Sequence, residues 1–230
     1  MEFRSILEKL KSLSNPAVSE GMSRYGINTD KAFGVSIPKL RLLAKQIGTN
    51  HKLAIELWGA DFHETKILAS MIDDPKELTE EQLESWVKDF DSWDICDQVC
   101  NNLFWKNILS YHKSFEWCKR DEEFVKRAGY VLMAVFAVHD KTRRDEDFLK
   151  FLSEIYKGST DERIYVKKAV NWALRQIGKR NIFLYKNAIE YALNIQRIDS
   201  KSAKWIAADA LRELQNPKIL ERIKLREIHK

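Results

Sequence analysis

Trp93 and Asp97 are the first residues in this sequence whose types and spacing could do chemistry. Four positions apart, they share one face of a helix. At about 100° per residue, Ile95, Val99 and Leu103 form the core stripe, leaving Trp93 and Asp97 roughly 100–160° away from its centre. An aromatic face beside a carboxylate attracts a cation. A tryptophan at the edge of a core beside a solvated aspartate would have the same spacing. Arg127 is the second candidate. It flanks a stripe of Phe124, Ala128, Val131, Leu132 and Val135. It suits a phosphate, the orientation of Asp97, or a position snorkelling over apolar neighbours. The third is the run 161–180, whose stripe of Val166, Val170, Ala173 and Ile177 leaves Trp172 roughly 130° away, near Lys168, Arg175 and Lys179. Basic residues neutralise phosphates, and an indole packs on a sugar or base. The acidic start and basic end of this run also suit the helix dipole. His63 and Glu64 lack an HExxH partner, His112 and His139 are isolated, and no Ser/His/Asp or Cys/His signature appears, so none is taken as a site residue.

Helices must position these groups. The chain has 230 residues, 44% of them hydrophobic, enough for a sizeable core. Only 8 Gly and 4 Pro are present, too few for the turns of an all-β fold, and no Gly-rich phosphate loop occurs. Apolar residues recur at three and four positions. Ile6, Leu7, Leu10 and Leu13 define a first helix, interrupted by Asn15-Pro16. Ser36 caps a second that contains Pro38 in its first turn and ends at Gly48. Further helices are expected at about 51–59, 63–72, 79–88, 92–109, 122–139, 145–156, 161–180, 182–194, 200–214 and 217–228. No linker divides the chain, so one domain over 1–230 is expected.

The formal net charge is +5, unevenly distributed. Residues 161–230 hold 16 basic and 8 acidic side chains, net +8, and residues 1–160 are net −3. A basic C-terminal third suits an anionic partner, nucleic acid first, although a solvated lysine-rich surface would carry the same charge. Cys96, Cys100 and Cys118 are odd in number and lack framework or zinc-finger spacing. No metal, signal peptide or membrane span is expected, which points to a cytoplasmic protein; a monomer is expected as well. Lys126-Arg127-Ala128 and Lys167-Lys168-Ala169 echo each other 41 positions apart, and Lys204 before Trp205 follows 36 later. Periods near 40 suit HEAT-type repeats, which stack into a solenoid with a concave binding surface.

The sequence resembles the AlkD-type DNA alkylation-repair glycosylases over nearly its whole length. The likeness rests on Arg24-Tyr25, Phe33-Gly34-Val35 with Pro38 and Arg41, Trp93-Asp94-x-x-Asp97, Lys126-Arg127-Ala128, and the run from Lys167 to Arg175. Ser92 departs from members with a second aromatic there, and the loop around 25–35 looks branch-specific. The resemblance implies an all-α, HEAT-like solenoid with a basic concave face. It implies that Trp93, Asp97, Arg127 and Trp172 form the catalytic set. Tyr25, Lys126, Lys167, Lys168, Arg175, Lys179, Arg180 and Lys204 are expected at the DNA. The implied activity is removal of N3- or N7-alkylated purines from duplex DNA, without metal or organic cofactor and without a base-flipping pocket. Asp97 would stabilise positive charge on the sugar, the tryptophans would flank the nucleotide, and Arg127 would hold a phosphate and orient Asp97. A non-catalytic HEAT-like binder of distorted or branched DNA is the alternative, and a protein-interaction scaffold a third reading.

Overall fold

Runs with apolar residues every three or four positions form helix throughout. The computed structural model describes the backbone of residues 2–228 and the side chains of residues 2–226. Fourteen α-helices and one short 3-10 turn are found among the described residues, with no strand. None of these helices is long and apolar enough to cross a membrane. Packing divides the chain after Leu109 into two compact units.

The first unit holds α1 (Phe3–Ser12), α2 (Pro16–Ser23), α3 (Ile37–Ile47), α4 (His51–Gly59), α5 (His63–Ile72), α6 (Glu80–Lys88) and α7 (Trp93–Asn102). Asn15-Pro16 does more than interrupt. Asn15 Oδ1 accepts the Ala17 N–H at 3.1 Å, Pro16 occupies the first turn, and α2 begins there. Ser36 takes the expected cap position of α3, but its hydroxyl makes no capping bond. α5 and α7 run parallel. His63 meets Asp94 at their starts and Asn102 donates to Ser70 at their ends, at 2.6 and 3.1 Å. Trp58 of α4 stacks on Trp86 of α6, with ring centroids 3.9 Å apart. The helix expected over 92–109 stops early. Leu103 leaves helical geometry, Phe104–Lys106 make the 3-10 turn, and Asn107 Nδ2 donates to the Pro75 and Leu78 carbonyls.

The second unit holds α8 (Ser110–Trp117), α9 (Glu123–His139), α10 (Asp145–Gly158), α11 (Ile164–Gly178), α12 (Ile182–Gln196), α13 (Lys201–Leu214) and α14 (Pro217–Ile228). α8 escapes an apolar-period reading because polar residues lie on its buried side, including Ser110, Lys113 and Ser114. α9, α11 and α13 form a parallel layer. Arg127 donates to the Tyr165 carbonyl near the starts of α9 and α11, and Arg180 to the Ala137 carbonyl near their ends. Ser202 donates to the Asp161 carbonyl, and Asn171 to that of Ile206. These partners lie 35–43 positions apart, matching the period of the sequence echoes. α8, α10 and α12 supply the antiparallel mates. The core comprises Val131, Leu132, Phe148, Phe151, Val166, Val170 and Ile206.

α9 approaches the end of α8 at Gly129, where an added Cβ would lie 2.5 Å from the Cys118 backbone nitrogen. All three atoms within 3 Å, the N, Cα and Cβ of Cys118, are at that residue's rigid base rather than at a flexible tip. Gly129→Ala is expected to cost about 1–3 kcal/mol in urea denaturation through overpacking.

Candidate functional site

In the first unit the site is built on the starts of α5 and α7. Ile95, Val99 and Leu103 are buried, as the helical wheel requires, while Trp93 and Asp97 are half-buried on the flank. Trp93 Nε1 donates to the backbone carbonyl of Tyr25 at 3.0 Å, which fixes the ring's angle. The Tyr25 side chain is 75% exposed. Between Trp93 and Asp97, Asp94 accepts from His63 Nε2 at 2.6 Å and from Ser92 Oγ at 2.8 Å. This pair anchors the first turn that carries both candidates.

Burial opposes a charge on His63. The bond to Asp94 and the nearby carboxylates outweigh it and hold the His63 pKa above the usual histidine value. Burial likewise disfavours ionised Asp94, yet His63, the Ser92 hydroxyl and the Ile95 N–H keep its pKa below the usual carboxylate value. Both directions favour the ion pair.

Glu64 is fully buried, one residue after His63. Its carboxylate accepts the backbone N–H groups of Phe33, Gly34 and Val35 at 2.8, 2.6 and 3.0 Å. Gly34 has φ +73°, and a Cβ there would lie 2.2 Å from the Asn15 carbonyl oxygen. The Phe33-Gly34-Val35 motif is therefore a backbone cradle around one carboxylate. The same loop returns a bond to α5, since the His63 N–H donates to the Lys31 carbonyl at 2.8 Å. The sequence does not mark His63 and Glu64 as site residues, because their partners lie 30 or so positions away, a separation that no local motif encodes.

In the second unit the candidates sit on the parallel layer. The stripe of Val166, Val170, Ala173 and Ile177 is fully buried, and Trp172 is half-buried beside it. Arg127 is buried rather than snorkelling, and its Nη1 donates to the Tyr165 carbonyl at 2.6 Å. Lys126, Lys168 and Lys204 lie near the starts of α9, α11 and α13, at one edge of the layer. Lys126 is 3.4 Å from Asp161, Lys204 is 2.7 Å from Asp199, and Lys168 is exposed. Lys167 turns toward the Trp205 ring, 5.4 Å from its centroid.

The other expected DNA ligands have internal partners. Arg175 and Lys179 share Glu213, the latter at 2.6 Å. Arg180 donates to the Ala137 and Arg143 carbonyls and lies over the Phe148 ring. Part of the basic excess thus holds the layer together. Glu213 is 38 positions from Arg175, one repeat further on, and only the repeat period hints at it. Among the described residues, no group of three or more His, Cys, Asp or Glu side chains is placed to hold a metal.

Residues 6–221 match the family model of the DNA alkylation repair enzymes. The chain belongs to that family. No curated protein matches the sequence. A solved structure described as "A new family of proteins related to the HEAT-like repeat DNA glycosylases with affinity for branched DNA structures" superposes with a TM-score of 0.74. It is 20% identical, and the alignment covers 93% of this chain and 95% of that one. This shows the HEAT-like repeat fold. Two designed armadillo repeat proteins, each 16% identical, superpose with TM-scores of only 0.38 and 0.39, too low to bear on the architecture. They cover 76% and 80% of this chain and 91% and 82% of their own. In this member of the alkylation repair family, the buried charges of α5 make two expectations testable.

Glu64→Ala leaves three buried N–H donors without an acceptor and is expected to cost roughly 3–5 kcal/mol in chemical denaturation. The His63–Asp94 pair has a pH signature. The raised His63 pKa contributes stability that is complete below its unfolded value and is lost as pH rises through the folded value. The lowered Asp94 pKa contributes stability that is complete above its unfolded value and is lost as pH falls through the folded value. The stability advantage of wild type over His63→Gln should therefore be larger at about pH 6 than at about pH 9. A pH-independent difference would contradict the ion pair.

Proposed function

We propose that this chain is a monofunctional DNA glycosylase that removes cationic N3- or N7-alkylated purines from duplex DNA. The observation that carries this reading is the Trp93–Asp97 face. It lies off the buried stripe of α7, with the indole oriented by the Tyr25 carbonyl. Membership of the DNA alkylation repair enzyme family supports it.

Alkylation at N3 or N7 gives the base a formal positive charge and makes it a good leaving group. As the C1′–N9 bond breaks, its electron pair neutralises the base, and positive charge develops on the deoxyribose. Water adds to C1′ and gives up a proton, leaving an abasic site. Asp97 stabilises the sugar cation electrostatically and orients the water. Trp93 and Trp172 pack against the lesion nucleotide and contribute cation–π attraction. Arg127 holds a backbone phosphate, with Tyr25, Lys126, Lys167, Lys168 and Lys204 supplying further contacts. Arg175, Lys179 and Arg180 have donors left over from their internal bonds for the same task. The mechanism needs no cofactor, because the leaving group is already activated.

A second reading has a specific observation in its favour. The solved relative of similar fold is described as having affinity for branched DNA structures. On that reading this chain would bind distorted or branched DNA without turnover.

Single-turnover release of 7-methylguanine or 3-methyladenine from methylated duplex separates the two. Wild type should release the base, and Asp97→Asn should be slower by about 100- to 1,000-fold, the usual weight of one electrostatic stabiliser. Equal rates would remove Asp97 from the mechanism. No release by wild type, with tight binding to a four-way junction, would establish the second reading.

A further inference from the structure

Where α9 and α11 end, their last carbonyls should make a negative surface. The structure shows the reverse. A cavity of about 240 Å³ opens there against α14, and among the described residues its charged lining is Lys141, Lys179, Arg180, Arg222 and Arg226, with no carboxylate. Lys141 donates to the Val138 carbonyl and Arg180 to that of Ala137, so the helix ends are capped by cations. The carboxylates nearby are engaged elsewhere. Asp140 is held by Arg143 at 2.9 Å, Asp145 by Asn181 at 2.9 Å, and Glu213 by Arg175 and Lys179. Arg222 and Arg226 are exposed, one turn apart on α14, and pair with no carboxylate among the described residues. Val138 and Ile223 give the cavity an apolar wall. Such a recess suits a phosphate, and two arginines at its rim can grip it through paired N–H groups.

Its position says which phosphate. Lys126, Lys168 and Lys204 lie near the starts of the parallel helices α9, α11 and α13, so their positions follow one another across the layer as a row at one edge. Neighbouring axes in such a layer are about 8–10 Å apart, so a nucleic-acid backbone following the row crosses the helices. The cavity is displaced from that row along the helices. Lys168 to Lys179 spans 11 residues of α11 and its cap, about 16 Å. One backbone running along the row cannot reach it. The second backbone of the same duplex can, since a major groove is about 12 Å wide between its phosphate-lined edges.

We propose that this cavity is a phosphodiester site for one strand of a DNA duplex whose other strand follows the row Lys126, Lys168 and Lys204. The proposal rests on the reading that the chain binds duplex DNA, but not on its being a glycosylase. Each basic end of the layer holds one backbone, so duplex is gripped across its width.

Fluorescence anisotropy with a labelled duplex tests this, using Arg222→Ala/Arg226→Ala and, separately, Lys168→Ala. These side chains are exposed, and unchanged thermal melting confirms folding. The Arg222→Ala/Arg226→Ala protein should bind duplex at least about tenfold more weakly, with a salt slope shallower by about 1–2. Its loss on single-stranded DNA of the same sequence should be much smaller. Neutral methylphosphonate linkages in one strand should abolish the effect of Arg222→Ala/Arg226→Ala, and in the other strand that of Lys168→Ala.

Undiminished duplex affinity, equal losses on single and double strands, or both effects vanishing with the same strand would each overturn the proposal. So would protection of the cavity by inorganic phosphate with duplex affinity unchanged in the double variant, which would make it a free-phosphate site. Wild type that fails to bind duplex at low salt would overturn this proposal and the DNA reading together. Binding without base release would overturn the glycosylase reading alone.

Discussion

Two buried charges at the start of α5 hold the first unit's candidate site in place. Glu64 gathers three backbone N–H groups of the 33–35 loop, and His63 pairs with Asp94 in the first turn of α7. Neither charge tolerates burial alone. Each is stable only when its distant partner is in position, so the loop, α5 and the start of α7 must form together. Trp93 and Asp97 inherit their placement from that requirement. A loose surface tryptophan would have no fixed orientation, whereas this one is tied to the Tyr25 carbonyl and to an anchored turn.

The second unit solves the same problem with repetition. α9, α11 and α13 run parallel, and equivalent positions one repeat apart meet through side-chain bonds to backbone carbonyls. Parallel stacking brings every helix start to one edge. Lysines at those starts therefore form a row without any of them being close in sequence. The helix dipoles favour anions at the same edge. At the opposite edge the dipoles work against an anion, and five arginine and lysine side chains line the cavity there.

Much of this was legible in the sequence, for identifiable reasons. Buried stripes such as Ile95, Val99 and Leu103 show as a period of three to four, so the helices and the off-stripe positions of Trp93, Asp97 and Trp172 could be read directly. The repeat echo at 36–41 positions has its physical basis in the bonds between α9, α11 and α13. What the sequence concealed is pairing. Nothing local marks Glu64 as the acceptor for a loop 30 residues earlier, or Glu213 as the partner of Arg175. The net charge of 161–230 likewise overstated the free cations, because Arg175, Lys179 and Arg180 also bind within the layer. α8 shows no apolar stripe in the sequence because Ser110, Lys113 and Ser114 share its buried side with Trp117.

On the proposed reading, Asp97 recognises a sugar that has become positive. The most direct measurement compares wild-type affinity for two duplexes that differ only at one abasic position. One carries a cationic pyrrolidine analogue of deoxyribose, and the other carries neutral tetrahydrofuran. Tighter binding of the cationic duplex by about tenfold or more, lost in Asp97→Asn, is the predicted result. Equal affinity for both duplexes, or a preference that survives Asp97→Asn, would rule out that role for Asp97.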